Sequence, residues 1–153
     1  MQIRLTDVPF DPQGEEAAFA AGRTEMGGLV SFVGLCRDND DGMAVRTLHI
    51  DHYPGFTEKE IARLAREVAS RCNCPDILAV HRVGDIAPGE AIVLVAALSR
   101  HRANAFEAVR VLMDYLKTDA PLWKKEIGAE GVRWIEPRAE DRARRAAMEG
   151  NGA

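Results

Sequence analysis

An α+β fold is predicted by three features of the 153-residue sequence. Segments that alternate apolar and polar residues, as strands do, are interspersed with segments that repeat every 3.6 residues, as helices do. The strand-like segments are short and several are joined by tight turns, which favours antiparallel pairing. No linker, internal repeat or shift in composition divides the chain, so residues 1–138 are expected to form one domain and 139–153 a charged tail, helical or disordered. A chain of this length buries roughly 70% of the surface it exposes when unfolded, so it needs no disulfide to hold together.

The elements follow from local chemistry. Gln2 to Leu5 reads as a first strand, and Gly14 to Gly22 as a short helix closed by glycine. Gly28 to Cys36, rich in β-branched and aromatic residues, reads as a buried strand. Arg37 to Gly42 is a turn by its Asp, Asn and Gly content, which leaves Arg37 at a strand end. From Val45 to Tyr53, Leu48, Ile50 and His52 share one face and His49 and Asp51 the other. After the Pro54-Gly55 turn, Thr57 and Glu60 form a T-x-x-E capping box, and Ile61, Leu64, Ala65, Val68 and Ala69 recur at helical spacing.

Ile77 to Val83 and Ala91 to Ser99 read as two further strands, with the Pro and Gly of "GDIAPGE" between them opposing any regular element. A second long helix starts at Arg102, carries Ala105, Val109, Leu112, Met113 and Leu116 on one stripe, and stops near Asp119 ahead of Pro121. "PLWKKEI" and "VRWIE" around "GAEG" predict a β-hairpin.

Charge and composition exclude several classes. The net charge of -4 removes the general attraction for nucleic acid or anionic membrane, so any anion site must be local. The longest uncharged apolar run, Ala91 to Leu98, is far short of a membrane span, and the N-terminal residues have no apolar core of signal-peptide length. Cys72 and Cys74 form a C-x-C pair without the second ligand pair of a structural zinc site, and Cys36 is alone; the three read as free thiols of a reducing cytoplasm. His49 and His52 face opposite sides of a strand, so no metal site is expected. Walker A, G-x-G-x-x-G, G-x-S-x-G and H-E-x-x-H patterns are absent.

Cationic groups collect at element ends instead. Arg37 follows a strand, His101 and Arg102 separate a strand from a helix, Lys117 lies in a last helical turn, and Lys124 opens the hairpin beside Lys125. Lys117 suits the helix dipole and an edge lysine is an ordinary solvated residue, but Arg102 and His101 oppose the dipole at a helix start, where free amides also attract phosphate or carboxylate. If Lys117 and Lys124 converge, each lowers the other's pKa, and one amine becomes a base or nucleophile beside a charged neighbour that stabilises developing negative charge.

Five segments carry a resemblance. "FVGLCRDND" from Phe32, "LHIDHYPGFTEKEI" from Leu48, "HRVGDIAPGE" from His81, "SRHRANAFEA" from Ser99 and "MDYLKTDAPLWKKE" from Met113 together resemble the large, catalytic subunit of molybdopterin synthase, in order from about Gly28 to Arg138. The resemblance implies an α/β-hammerhead fold with mostly antiparallel sheets and a homodimer within a heterotetramer. Its second component is a small ubiquitin-like sulfur carrier whose C-terminal Gly-Gly thiocarboxylate enters a pocket of the large subunit. There sulfur passes to cyclic pyranopterin monophosphate to make the dithiolene of molybdopterin, with no cofactor of its own. The family's essential lysines fall on Lys117 and Lys124, its anion-binding residues on Arg37, His101, Arg102 and Arg138, and its pocket-lining positions on Phe32 and Met113. His101 and Arg102 are expected to be donated across a dimer interface. Two anionic reactants explain why an acidic protein gathers cations at one place. The competing expectations are a docking module that only binds an acidic carrier tail and, last, a phosphate-ester hydrolase, for which no nucleophile is evident.

Overall fold

The structure is a computed structural model that describes residues 1–40 and 42–150. Asp41 of the expected turn and residues 151–153 of the expected tail lie outside the described residues. The order is β1 (Gln2–Thr6), α1 (Pro12–Ala20), β2 (Gly28–Leu35), β3 (Asn39–Asp40), β4 (Met43–Ala44), β5 (Thr47–His52), α2 (Phe56–Arg71), β6 (Asp76–Arg82), β7 (Gly84–Ile86), β8 (Ala91–Ser99), α3 (Arg102–Thr118), β9 (Leu122–Gly128), β10 (Gly131–Ile135) and α4 (Ala139–Gly150).

Two four-stranded sheets carry the fold, ordered β1-β6-β8-β2 and β10-β9-β5-β7, with β3 and β4 as a small separate ribbon. Only β1 and β6 pair in parallel among the described strands; the other pairings are antiparallel. The central strands β6 and β8 are apolar on both faces because both faces are covered. On one side Ile77, Ala79, Val93, Val95 and Ala97 pack under α2 and α3. On the other, Leu78, Val80, Leu94, Ala96 and Leu98 close over Phe19 of α1. A third cluster, Cys36, Leu48, Ile50, Val83 and Ile86, joins the two sheets through Leu5 and Ile92. Cys36, Cys72 and Cys74 are all buried free thiols. No helix among the described residues is long and apolar enough to cross a membrane.

Three expectations are corrected. Helix α2 begins earlier than the T-x-x-E pattern implies: its N-cap is Gly55, at φ +78°, where an L side chain would be strained. Glu58, not Glu60, reaches back to accept the Gly55 amide at 2.7 Å. Thr57 is fully buried inside the first turn, and its hydroxyl accepts the Tyr53 N–H at 3.0 Å and donates to the Pro121 carbonyl at 3.1 Å. A local pattern could not register that distant carbonyl. Second, "GDIAPGE" contains a real strand, β7, because the edge of β5 offers Gly84 to Ile86 a ladder that outweighs their poor propensity. Third, β2 is not buried. It is an edge strand paired only with β8 among the described residues, and Leu29, Phe32 and Leu35 are exposed.

Candidate functional site

A cavity of about 640 Å³ opens where the two sheets, the C-terminal end of α3 and the start of α4 meet. Its position follows from strand alternation. On β9, Leu122, Lys124 and Glu126 point inward and Trp123 and Lys125 outward. Lys125 accordingly lies outside the cavity, 3.8 Å from Asp51 and 5.3 Å from the centre of the Trp134 ring. Lys124, opposite Ile50 of β5 and Ile135 of β10, projects inward to the cavity from the middle of the sheet.

The lining draws on residues far apart in the chain. Phe32, Arg37, Met113, Lys117, Lys124 and Arg138 all contribute to it. Burial pushes the Lys124 amine down to about 8, the charge of Lys117 pushes it the same way, and Asp141 opposes both. Lys117, in the last turn of α3 and half-exposed, lies 3.8 Å from the Asp141 carboxylate. At the rim, buried Asp40 pairs with Arg37, with Arg133 at 3.0 Å and with Arg138 at 3.6 Å, so one carboxylate gathers three guanidiniums. Such an arrangement orients N–H donors toward an anion while limiting their mutual repulsion.

His101 and Arg102 are not brought to this cavity within one chain. They stand at the opposite end of α3, whose 17 residues span about 25 Å, exposed beside Gly28 where β2 begins.

Sequence reasoning missed several lining residues, among them His81, Glu126 and Asp141. Glu126 is buried and accepts Arg133 Nε at 3.2 Å and Nη2 at 2.5 Å; its i, i+2 spacing from Lys124 was the available signal. Asp141 caps α4 by accepting the Arg138 N–H at 3.3 Å and also pairs with Arg144. Arg144 reaches Asp114 at 3.3 Å, while Arg145 bonds Asp119 at 2.8 Å and lies over the Tyr115 ring at 4.1 Å, so α4 is tied to α3 by charge. His81 follows the apolar run Ile77 to Val80 in a buried strand, and a histidine there is itself a signal.

Fold and cavity together define a class: a two-sheet α+β protein whose pocket holds two lysines, one with a depressed pKa, behind a rim of arginines, suited to transfer chemistry between anionic reactants. Comparison with known proteins makes this particular. The MoaE protein family model matches residues 5–119, and the chain belongs to that family. It is 52% identical over 142 residues to the "Molybdopterin synthase catalytic subunit" of Caulobacter vibrioides, covering 93% of each chain. Among solved structures it is similar to the molybdopterin biosynthesis MoaE protein from Burkholderia ambifaria, with a TM-score of 0.80, 41% identity and 97% of each chain covered. It is also similar to molybdopterin synthase from Staphylococcus aureus, with a TM-score of 0.79, 26% identity and coverage of 88% of this chain and 97% of that one.

Proposed function

We propose that the chain is the catalytic subunit of a molybdopterin synthase, a sulfurtransferase of molybdenum cofactor biosynthesis. In this reading it moves sulfur from the C-terminal Gly-Gly thiocarboxylate of a small ubiquitin-like carrier to cyclic pyranopterin monophosphate. The observation that carries the reading is the meeting of Lys117 and Lys124 in one cavity rimmed by Arg37 and Arg138. The two-sheet arrangement is read as the α/β-hammerhead, with residues 1–138 as the working unit and the following segment as an appended arm. The relatives' printed name, catalytic subunit, implies a companion subunit.

The chemistry follows from charge. Arg37, Arg138, His101 and Arg102 hold the pterin phosphate, and the apolar walls at Phe32 and Met113 seat the ring. The carrier's thiocarboxylate sulfur bonds to an electrophilic carbon of the substrate side chain, an oxygen substituent of that carbon leaves with a proton, and water hydrolyses the resulting thioester to leave sulfur on the pterin and a carboxylate on the carrier. A second carrier repeats the transfer at the neighbouring carbon. Lys124, part of it neutral near pH 7, moves protons, and charged Lys117 stabilises the oxyanion. Lys117 is also the better placed of the two for a transient covalent bond to the carrier terminus, since its side chain is half-exposed.

The distance of His101 and Arg102 from the cavity points to a homodimer. Strand β2 runs from Gly28, beside those residues, to Leu35, beside the cavity, and its free edge carries exposed Leu29, Phe32 and Leu35. Two copies paired antiparallel along this edge would bring the His101 end of one against the Arg37 end of the other. Each cavity is thereby completed by its neighbour.

The test mixes the purified chain with thiocarboxylated carrier and the cyclic precursor and assays dithiolene pterin. Wild type should turn over; Lys117→Ala and Lys124→Ala should each lose at least about a hundredfold in rate, the scale of lost acid-base or oxyanion stabilisation. Carrier binding without product from the wild type would mark a docking module instead.

A further inference from the structure

Among the described residues the cavity wall carries an acceptor that no part of the protein uses. His81 is 3% exposed, and its Nδ1 lies 2.7 Å from the Arg82 carbonyl oxygen. A carbonyl can only accept, so Nδ1 carries the hydrogen. Among the described residues nothing hydrogen-bonds the other ring nitrogen, Nε2, and the ring lines the cavity beside Lys124. In the neutral ring Nε2 is therefore a bare acceptor.

We propose that His81 is a substrate-binding residue whose Nε2 accepts a hydrogen bond from an N–H or O–H donor of the heterocycle bound in the cavity. This rests on the reading of the site as a pterin pocket. The residue is 3% exposed and its free acceptor faces the cavity, so the partner of Nε2 is a donor that enters the cavity with the ligand. The cationic lining residues cannot supply this function, and Glu140 is exposed. Lys117, Lys124, Arg37 and Arg138 only donate when charged, which suits phosphate and thiocarboxylate but not the N–H groups of a pterin. The buried carboxylates Glu126 and Asp141 are already taken up by Arg133, by Lys117 and by Arg144. Burial, and then the charge of Lys124, push the His81 pKa down to about 3, with the Arg82 hydrogen bond opposing them, so the ring stays an acceptor at neutral pH.

The experiment compares wild type, His81→Leu and His81→Gln as complexes with the carrier, measuring KM for the cyclic precursor, kcat and carrier affinity. Glutamine keeps an acceptor at nearly the same reach; leucine has none. His81→Leu should raise KM about tenfold, the equivalent of one hydrogen bond, with kcat altered less. His81→Gln should remain within about threefold of wild type. Carrier affinity should be equal in all three, which separates a binding role from damaged folding. Equal KM in leucine and wild-type enzymes, equal losses in leucine and glutamine variants, or a parallel loss of carrier affinity would each overturn the proposal. If the wild type makes no dithiolene product, the reading of the site fails rather than the role of His81.

Discussion

At the residue scale the decisive quantity is the state of one amine. A lysine in water loses its proton near 10.5, whereas burial and Lys117 bring Lys124 down to about 8. At pH 7 roughly one such amine in ten is then neutral, a useful fraction for proton transfer, while an ordinary lysine offers almost none. The two neighbours act with opposite sign. Lys117→Met removes a positive charge and should raise the Lys124 pKa; Asp141→Asn removes a negative one and should lower it. Side-chain NMR titration of labelled lysine measures both directly, and a wild-type midpoint near 10.5 would contradict the account. The same shift bears on stability. Between about pH 8 and 10.5 the unfolded chain binds a proton that the folded chain does not, so this group makes stability rise with pH across that window.

At the element scale, the cavity depends on how α2 and β9 are tied together. The Thr57 hydroxyl bridges the Tyr53 amide and the Pro121 carbonyl, and Leu122 begins the strand that carries Lys124. Thr57→Val keeps the shape and the β-branching but takes this partner from the part-buried bonds to the Tyr53 N–H and the Pro121 C=O. The expected loss is about 1–3 kcal/mol in urea unfolding, with a smaller cost for Glu58→Ala, whose bond to Gly55 is exposed. A Thr57→Val protein as stable as wild type would show that water replaces the bridge. Helix periods and the bounds of β8 were legible in the sequence because the local pattern and the fold agree there. The start of α2 and the existence of β7 were not, because a distant carbonyl and a neighbouring strand edge decided them.

At the scale of the whole molecule, the exposed edge of β2 and the remote His101 and Arg102 belong to one question, whether the site is built by two copies. Leu29→Asp places a charge on that edge outside the cavity. It should reduce the mass in solution toward the 16.8 kDa of one chain, as read by light scattering. Mixing Lys124→Ala with His101→Ala chains should restore turnover that neither has alone, because a mixed dimer holds one intact site. No recovery from a demonstrably mixed dimer would remove His101 from the partner's cavity.

The sequence by itself determined the α+β class, the alternation that separates Lys124 from Lys125, and the cations clustered at element ends. Those properties are set by side-chain period and by the chemistry of helix and strand ends, which act within a few residues. Only the tertiary structure decided that Arg37, Lys117, Lys124 and Arg138 share one cavity while His101 and Arg102 stand a helix-length away. It alone also decided that His81 keeps a bare acceptor there. Convergence of that kind depends on sheet order and on desolvation by residues distant in the chain, and no local pattern encodes either.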